Sequence, residues 1–305
     1  MDGNNRDVKI CVIFNPAARG EKARRFRHHL AEIAAHAALR PTDAPGAGRR
    51  LAAEAVREGF DTLVAAGGDG TVNEVLNGLG DEPEGYARAR LGVLPLGTVN
   101  VFAKELGMPP KCQDSWTVIE RGRETRIDLA TAGFLADGQP QRRDFVQMAG
   151  TGVDARAVEL VNWRRKKRFG YMAYVLAGVK AMCEPKAKIV VTAGAKTLEG
   201  EQVLIGNGRY YGGRFRLFPA ADLRDGLLEV TVLPRATWRQ LVRGAWGLWL
   251  NRLYTTGGVR HLQADSLQLS TTSHARFHVE GEDVGQLPVV ISARKQVLRV
   301  LVPAG

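Results

Sequence analysis

Asp69 is the residue on which a chemical reading of this chain turns. It stands in Gly67-Gly68-Asp69-Gly70, where three glycines let the backbone turn tightly and approach another molecule closely. The run before it, Thr62-Leu63-Val64-Ala65-Ala66, has the apolar, β-branched pattern of a strand buried in a parallel sheet. After it, Thr71-Val72-Asn73-Glu74 fits the T-x-x-E capping box, which predicts a helix opening at Thr71. Val72, Val75, Leu76 and Leu79 then share one helical face. Strand, glycine turn and helix start aim free backbone N–H groups and a positive dipole end at one point, an arrangement suited to phosphate. A generic βα turn would look the same without the carboxylate. An aspartate beside a phosphate makes chemical sense when a divalent cation lies between the two. The motif is neither G-x-x-x-x-G-K-[ST] nor G-x-G-x-x-G, so neither of those phosphate loops is present at this turn.

Such a turn needs a sheet to hold it. Residues 8–14 (VKICVIF) read as a buried strand followed by the loop Asn15-Pro16-Ala17-Ala18-Arg19-Gly20. A helix is predicted over residues 21–38, with Phe26, Leu30, Ile33 and Ala37 on one face. The segment 41–48 reads as a loop carrying Thr42, and 49–58 as a second helix. Leu91-Gly92-Val93-Leu94 is another strand, running into the second glycine turn, Pro95-Leu96-Gly97-Thr98-Val99-Asn100, and a short helix over 101–106. Alternating strands and helices indicate a parallel α/β sheet with its loops at the carboxyl ends of the strands. Beyond Ile127-Asp128-Leu129 the pattern becomes many short strands with Gly and Pro turns, which suggests a β-sandwich or barrel interrupted by one helix over 169–182. The expected division is 1–130 and 131–305, with the C-terminal segment free to return to the first domain.

In a chain of 305 residues, 45% hydrophobic and 25% charged residues describe a folded globular protein. A net charge of +11 favours anionic partners: nucleotide, nucleic acid or an acidic membrane surface. Cys11, Cys112 and Cys183 lack metal-ligand spacing and read as reduced thiols of a cytoplasmic protein. The start MDGNNRDVKI has no secretory pattern, and no apolar run approaches the roughly 20 residues that span a bilayer.

GGDGTVNEV resembles the nucleotide loop of diacylglycerol kinases, sphingosine kinases and, more distantly, NAD kinases and phosphofructokinases. The second half narrows the choice. Asn207-Gly208-Arg209-Tyr210-Tyr211-Gly212-Gly213, Phe218-Pro219-Ala220-Ala221-Asp222 and Asp225-Gly226-Leu227-Leu228-Glu229-Val230 resemble the signature of bacterial diacylglycerol and sphingoid-base-type lipid kinases. Gly150-Thr151-Gly152-Val153-Asp154-Ala155 is similar to that family's G-x-G-x-D-A element, and Glu280-Gly281-Glu282 to its D-G-E element. With Asn15-Pro16 and PLGTVN, the matches run in family order from residue 15 to residue 282.

The resemblance implies a phosphofructokinase-like α/β domain and a C-terminal β-sandwich, with ATP in the cleft between them. It carries nucleotide binding to Asn15, Pro16, Thr42, Gly67, Gly68, Asp69, Gly70, Thr71, Asn73 and Thr98. Asn15 and Thr98 equally suit simple capping. Glu282 matches the family's proton acceptor, although a turn carboxylate in EGED would look the same. Glu280 stands where the family usually has Asp, and Val101 where it commonly has a carboxylate. Asp69 and Asp128 are candidates for holding catalytic Mg²⁺, with Asp128 alternatively a strand-edge turn residue. A second, structural metal would use the Asp225 carboxylate with the carbonyls of Asp222 and Leu227; the alternative is an Asp-Gly turn that needs no metal.

Trp163-Arg164-Arg165-Lys166-Lys167-Arg168-Phe169-Gly170-Tyr171 is the densest basic cluster; nucleic acid or a solvated basic face would suit it, and in the lipid-kinase context it is read as membrane docking. Trp246, Leu248, Trp249 and Leu250 are read as core packing. The implied activity is phosphorylation of a hydroxyl on a diacylglycerol- or sphingoid-base-like lipid by ATP and Mg²⁺. The alternatives are a kinase of a soluble substrate such as NAD, or a decayed nucleotide- and membrane-binding protein. The implied partners are nucleotide and a lipid at the inner face of an anionic membrane, with no nucleic acid; monomer and homodimer both stay open.

Overall fold

Five successive buried residues, Ile10–Phe14, form strand β1, and the chain then alternates helix and strand through its first third. The computed structural model describes residues 8–18, 21–160, 171–213, 215–249 and 258–304. The basic cluster at 163–171 therefore falls, apart from Tyr171, outside the described residues. The chain divides into two units, Met1–Ile127 with Gln296–Gly305, and Asp128–Lys295.

In the first unit the order is β1, α1 (Glu21–Ala34), β2 (Ala38–Pro41), α2 (Ala47–Arg57), β3 (Thr62–Gly67), α3 (Asp69–Asp81) and α4 (Gly85–Arg88). It continues with β4 (Arg90–Pro95), α5 (Val101–Glu105), α6 (Cys112–Arg121) and the start of β5 (Arg123–Ala136). The sheet runs β2-β1-β3-β4 in parallel, and the final strand β18 (Val289–Val302) joins β4 in parallel at Val300↔Leu91. β3 is buried along its whole length, which is why its sequence is a continuous apolar run rather than an alternating one. Phe26 and Ile33 of α1 and Trp116 and Ile119 of α6 close over Val12, Val64 and Leu94.

Two local expectations are corrected. Helix α1 stops at Ala34, and Ala38–Pro41 is a strand paired with β1 rather than helix end and loop. β2 is the sheet's edge, where a proline at the strand end breaks no ladder. Helix α3 begins at Asp69 with Gly68 as its N-cap, so the capping box expected from Thr71 does not form. Glu74 instead reaches sideways and accepts the N–H groups of Gly46 (2.9 Å) and Gly48 (2.8 Å), capping α2, whose own N-cap is a glycine. Glu74→Ala should therefore destabilise the protein by about 1–2 kcal/mol, read as a lower urea midpoint with unchanged slope.

The second unit is built of two antiparallel sheets. β6 (Gln139–Phe145), β7 (Met148–Gly152), α7 (Val153–Leu160), α8 (Tyr171–Cys183), β8 (Ile189–Ala193), β9 (Lys196–Gly200) and β10 (Gln202–Gly206) come first. β11 (Tyr210–Tyr211), β12 (Phe215–Arg216), β13 (Leu228–Leu233), α9 (Trp238–Trp249), β14 (Arg260–Ala264), β15 (Ser266–Thr271), β16 (Arg276–Val279) and β17 (Glu282–Gln286) follow. One sheet has the order β14-β13-β10-β7-β16-β17; the other contains β18-β15-β8-β9, with β5 and β6 paired beside β18. Val203, Ile205, Val230 and Phe277 of the first sheet share a core with Ile189, Val191, Leu267 and Ile291 of the second. That shared apolar layer makes the unit a β-sandwich. Near the C-terminus the chain forms one long continuous strand, β18, where many short strands are expected.

Helices α7 and α9 join the single helix expected in this half, and on α9 Trp246 is 61% exposed rather than packed in the core, while the side chains of Leu248 and Trp249 and all of Leu250 lie outside the described residues. The three cysteines are free; burial pushes the thiols of Cys11 and Cys112 up to about 11, so both stay protonated at neutral pH. Among the described residues no helix is long and apolar enough to cross a membrane.

Candidate active site

Strands β1 to β4 are parallel, so the residues that follow them emerge at one sheet edge. Asn15 and Pro16 follow β1, Thr42 follows β2, Gly68 and Asp69 follow β3, and Thr98 lies in the turn after β4. Asn15 is exposed, and its Oδ1 accepts the N–H of Ala17 at 2.8 Å, so the side chain shapes its own loop. Thr42 is tied back to β1 by its N–H, which donates to Phe14 O at 2.8 Å.

The two glycine turns are one structure. The N–H groups of Leu96 and Gly97 both donate to Gly67 O, at 3.0 and 3.2 Å. A Cβ on Gly97 would lie 2.5 Å from Gly68 Cα, so only glycine lets the second turn cross the first. Asp69 joins them further. Its Oδ1 accepts the N–H of Phe102 at 3.2 Å, in the first turn of α5, and the N–H groups of Asn100 and Val101 also stabilise its charge. Burial nevertheless wins, and it pushes the carboxyl above the ordinary aspartate range. Thr71 folds over Gly67, where a Cβ would collide with its hydroxyl, and Gly70 is exposed in the first turn of α3. Asn73 is different: it is buried, and Asn77 Nδ2 donates to its Oδ1 at 2.8 Å, so its amide serves the helix interior. Thr98 is exposed, and Asn100, with φ 53°, turns the chain by donating to Pro95 O and Gly97 O.

In the second unit the Glu280-Gly281-Glu282 segment is the turn between β16 and β17. Glu280 and Gly281 are left-handed, with φ 53° and 75°. Glu282 opens β17 with its side chain 48% exposed and 3.5 Å from the Arg143 guanidinium. Glu280 Oε1 accepts the N–H groups of Val146 (2.9 Å) and Gln147 (2.8 Å).

Two family models match the chain: the diacylglycerol kinase catalytic domain over residues 9–132, and the YegS C-terminal NAD kinase beta sandwich-like domain over residues 147–302. A probable lipid kinase, YegS-like, from Pseudomonas aeruginosa is 31% identical over 309 residues, covering 99% of this chain and 96% of the relative. The chain belongs to the diacylglycerol kinase and YegS-like family. A diacylglycerol kinase of Staphylococcus saprophyticus is 28% identical over 305 residues, covering 96% of this chain and 94% of its own. The crystal structure of a putative diacylglycerol kinase from Bacillus anthracis superposes with a TM-score of 0.79 at 21% identity, covering 99% of this chain and 98% of that one, and supports the fold.

Within the diacylglycerol kinase framework the expected carboxylates separate into two groups. Asp69 and Glu282 remain the candidates with chemistry to do. Asp128 and Glu280 are tied into the fold: Asp128 is fully buried with Oδ2 accepting the N–H of Gly226 at 2.6 Å, and Glu280 Oε1 clamps the chain between β6 and β7. Asp225 is exposed, and its Oδ1 accepts the N–H of Leu227 at 2.8 Å, while its own N–H approaches Asp222 O at 3.4 Å. The turn thus closes by itself. One carboxylate and two carbonyls still suit a hard cation that completes its shell with water. Among the described residues no cluster of three or more His, Cys, Asp or Glu could hold a metal.

The G-x-G-x-D-A motif of the family acquires a physical meaning that its spacing did not disclose. His278 is buried, its Nε2 lies 2.7 Å from Asp154 Oδ2, and Gln202 Nε2 donates to Asp154 Oδ1 at 2.6 Å. The N–H of Gly281 donates to His278 Nδ1 at 3.3 Å, which puts the ring proton on Nε2, toward Asp154. A Cβ on Gly150 would collide with both partners, so the motif's first glycine makes room for the pair. A buried chain from Gln202 through Asp154 and His278 thereby holds the turn that presents Glu282. The signal was a histidine between the apolar Phe277 and Val279, two residues ahead of EGE. His278→Ala should lower kcat by about 10–10²-fold with KM for ATP unchanged, because the turn loses its register. His278→Asn, whose Oδ1 can replace Nδ1 as acceptor, should recover part of that loss; equal loss in both variants would remove this role.

Proposed function

We propose that the protein is an ATP-dependent lipid kinase that transfers the γ-phosphoryl group to a hydroxyl of a diacylglycerol- or sphingoid-base-like membrane lipid. The observation that carries the reading is Asp69, a half-buried carboxylate held by backbone amides at the amino end of α3 and against the start of α5, in a chain of the diacylglycerol kinase family. Its charge is under-compensated by those amides, which is the condition a divalent cation would satisfy. A bound Mg²⁺ would supply neutralisation of the charge that develops on the β- and γ-phosphates.

The residues of the first sheet edge bind and orient the nucleotide. Asn15, Pro16 and Thr42 border it, the open amino end of α3 presents N–H groups to phosphate, and Thr98 adds a hydroxyl. In the transfer, the lipid oxygen bonds to the γ-phosphorus, the bond to the ADP oxygen breaks, and Glu282 accepts the alcohol's proton. The lipid is reached from water, and we place the working protein on the inner face of an anionic membrane. Purified protein with radiolabelled ATP, Mg²⁺ and mixed micelles carrying diacylglycerol or a sphingoid base should yield phosphorylated lipid, and NAD in place of lipid should not. Label on NAD alone, or on nothing, would overturn the reading.

A further inference from the structure

Helix α9 carries three large apolar side chains on its outside. Eight large apolar side chains are strongly exposed among the described residues; three of them, including both aromatics, are Trp238 (49%), Val242 (67%) and Trp246 (61%) on this one helix. They recur every four residues, so they form a single stripe rather than scattered exposures. Arg239 and Arg243, both exposed, run along the stripe's flank one position on, and exposed Arg235 precedes the helix. The helix WRQLVRGAWGLW contains no carboxylate.

The opposite side is what the protein keeps. Gly247 is buried and Gly244 half-buried, small residues that let the helix lie close to its neighbour, and α9 contacts β12. Thr237 caps the helix, its Oγ1 accepting the N–H of Gln240 at 3.3 Å. Just ahead, Ala236 is locked among Val153 and Ala157 of α7 and Ala177, Ala181 and Met182 of α8. The helix is therefore fixed at its base, with Trp238 and Trp246 exposed to solvent.

We propose that this outward face of α9 is the surface by which the second unit docks on an anionic lipid bilayer, a proposal that rests on the lipid-kinase reading. The occupant follows from chemistry. Tryptophan favours the headgroup boundary, where its ring is buried and its N–H stays wet, and arginines beside it meet lipid phosphates. A second copy of the chain is a poor fit, because a two-fold contact through this face would oppose rows of arginines to each other. A net charge of +11 points the same way.

The test is flotation of the full chain with vesicles of phosphatidylcholine alone and of phosphatidylcholine with phosphatidylglycerol. Unmutated protein should float with the anionic vesicles and show a blue shift of tryptophan fluorescence. Replacing Trp238, Val242 and Trp246 together with Ser should weaken that binding about tenfold or more. Arg239→Ser with Arg243→Ser should weaken it less and flatten its salt dependence. Leu135→Ser with Val290→Ser, also exposed but off this helix, should change nothing. Thermal melting and ATP binding of each variant report its folding, and phosphorylation of a short-chain, water-soluble lipid should survive the triple change. Triple-variant protein that floats like the unmutated one overturns the proposal; if it also loses self-association, the face belongs to a second copy. Should the unmutated protein phosphorylate no lipid and the triple variant still lose vesicle binding, the docking surface stands and the kinase reading fails.

Discussion

Glu282→Gln is expected to lower lipid phosphorylation by about 10²–10⁴-fold while ATP and Mg²⁺ still bind. An alcohol is a weak nucleophile at neutral pH, and removing its proton during attack is the task left to a side chain once the phosphates are positioned. Glu282 is the carboxylate in the turn with a half-exposed side chain, presented by the left-handed pair Glu280 and Gly281. The nearby Arg143 orients it from 3.5 Å but does not cover it. Glu280 supplies the contrast. Its Oε1 holds the N–H groups of Val146 and Gln147, a task that an amide oxygen can perform equally, so Glu280→Gln should keep most activity. Titration calorimetry with ATP–Mg²⁺ and single-turnover phosphorylation separate binding from chemistry. Activity surviving Glu282→Gln, or equal loss from both glutamines, would place the base elsewhere.

Asp69→Asn should be at least as destructive to turnover and have the opposite effect on stability. Losing a carboxylate that positions a divalent cation removes several kcal/mol of transition-state charge stabilisation, about 10²-fold or more in kcat. The free protein gains instead. Burial holds the Asp69 carboxyl above its ordinary range, so the folded state binds this proton more tightly than the unfolded chain does. Its favourable contribution is complete below the unfolded value near 3.9 and declines as pH rises through the raised folded value. At pH 7 the ionised group therefore weakens the apo fold, and asparagine relieves that cost. Melting curves from pH 4 to pH 8 should show the variant's Tm drawing level with or above that of the unmutated protein as pH rises. Adding ATP–Mg²⁺ should reverse the order, since only the unmutated protein gains full stability from binding. Parallel curves across pH, or near-normal kcat in the variant, would remove Asp69 from this role.

Local patterns carried the sequence reading a long way. β3 and the GGDG turn are written in consecutive residues, because a strand buried on both faces must be apolar throughout and a turn that crosses another must be glycine. The carboxyl-edge placement of Asn15, Thr42, Asp69 and Thr98 followed from the alternation of strand and helix, since parallel strands have to deliver their loops to one side. The second-half motifs, each short, were informative because they came in order.

What tertiary structure alone decided was the use of each polar side chain. Thr71-Val72-Asn73-Glu74 has the letters of a capping box, yet Glu74 caps α2, because a neighbouring helix offered unsatisfied N–H groups that no sequence window contains. Glu280 and Asp69 each stand beside a glycine and Asp128 stands between Ile127 and Leu129, and only their surroundings show what each carboxylate holds. All three accept backbone N–H groups, and burial nevertheless pushes the Asp69 carboxyl above its ordinary range. Asp154 meets His278 across 124 residues, and the side of α9 that turns outward depends on what its base packs against. Periodicity and turn chemistry act over a few residues and are legible in order along the chain. Hydrogen-bond partners and burial belong to contacts between distant segments, and those exist only once the chain has folded.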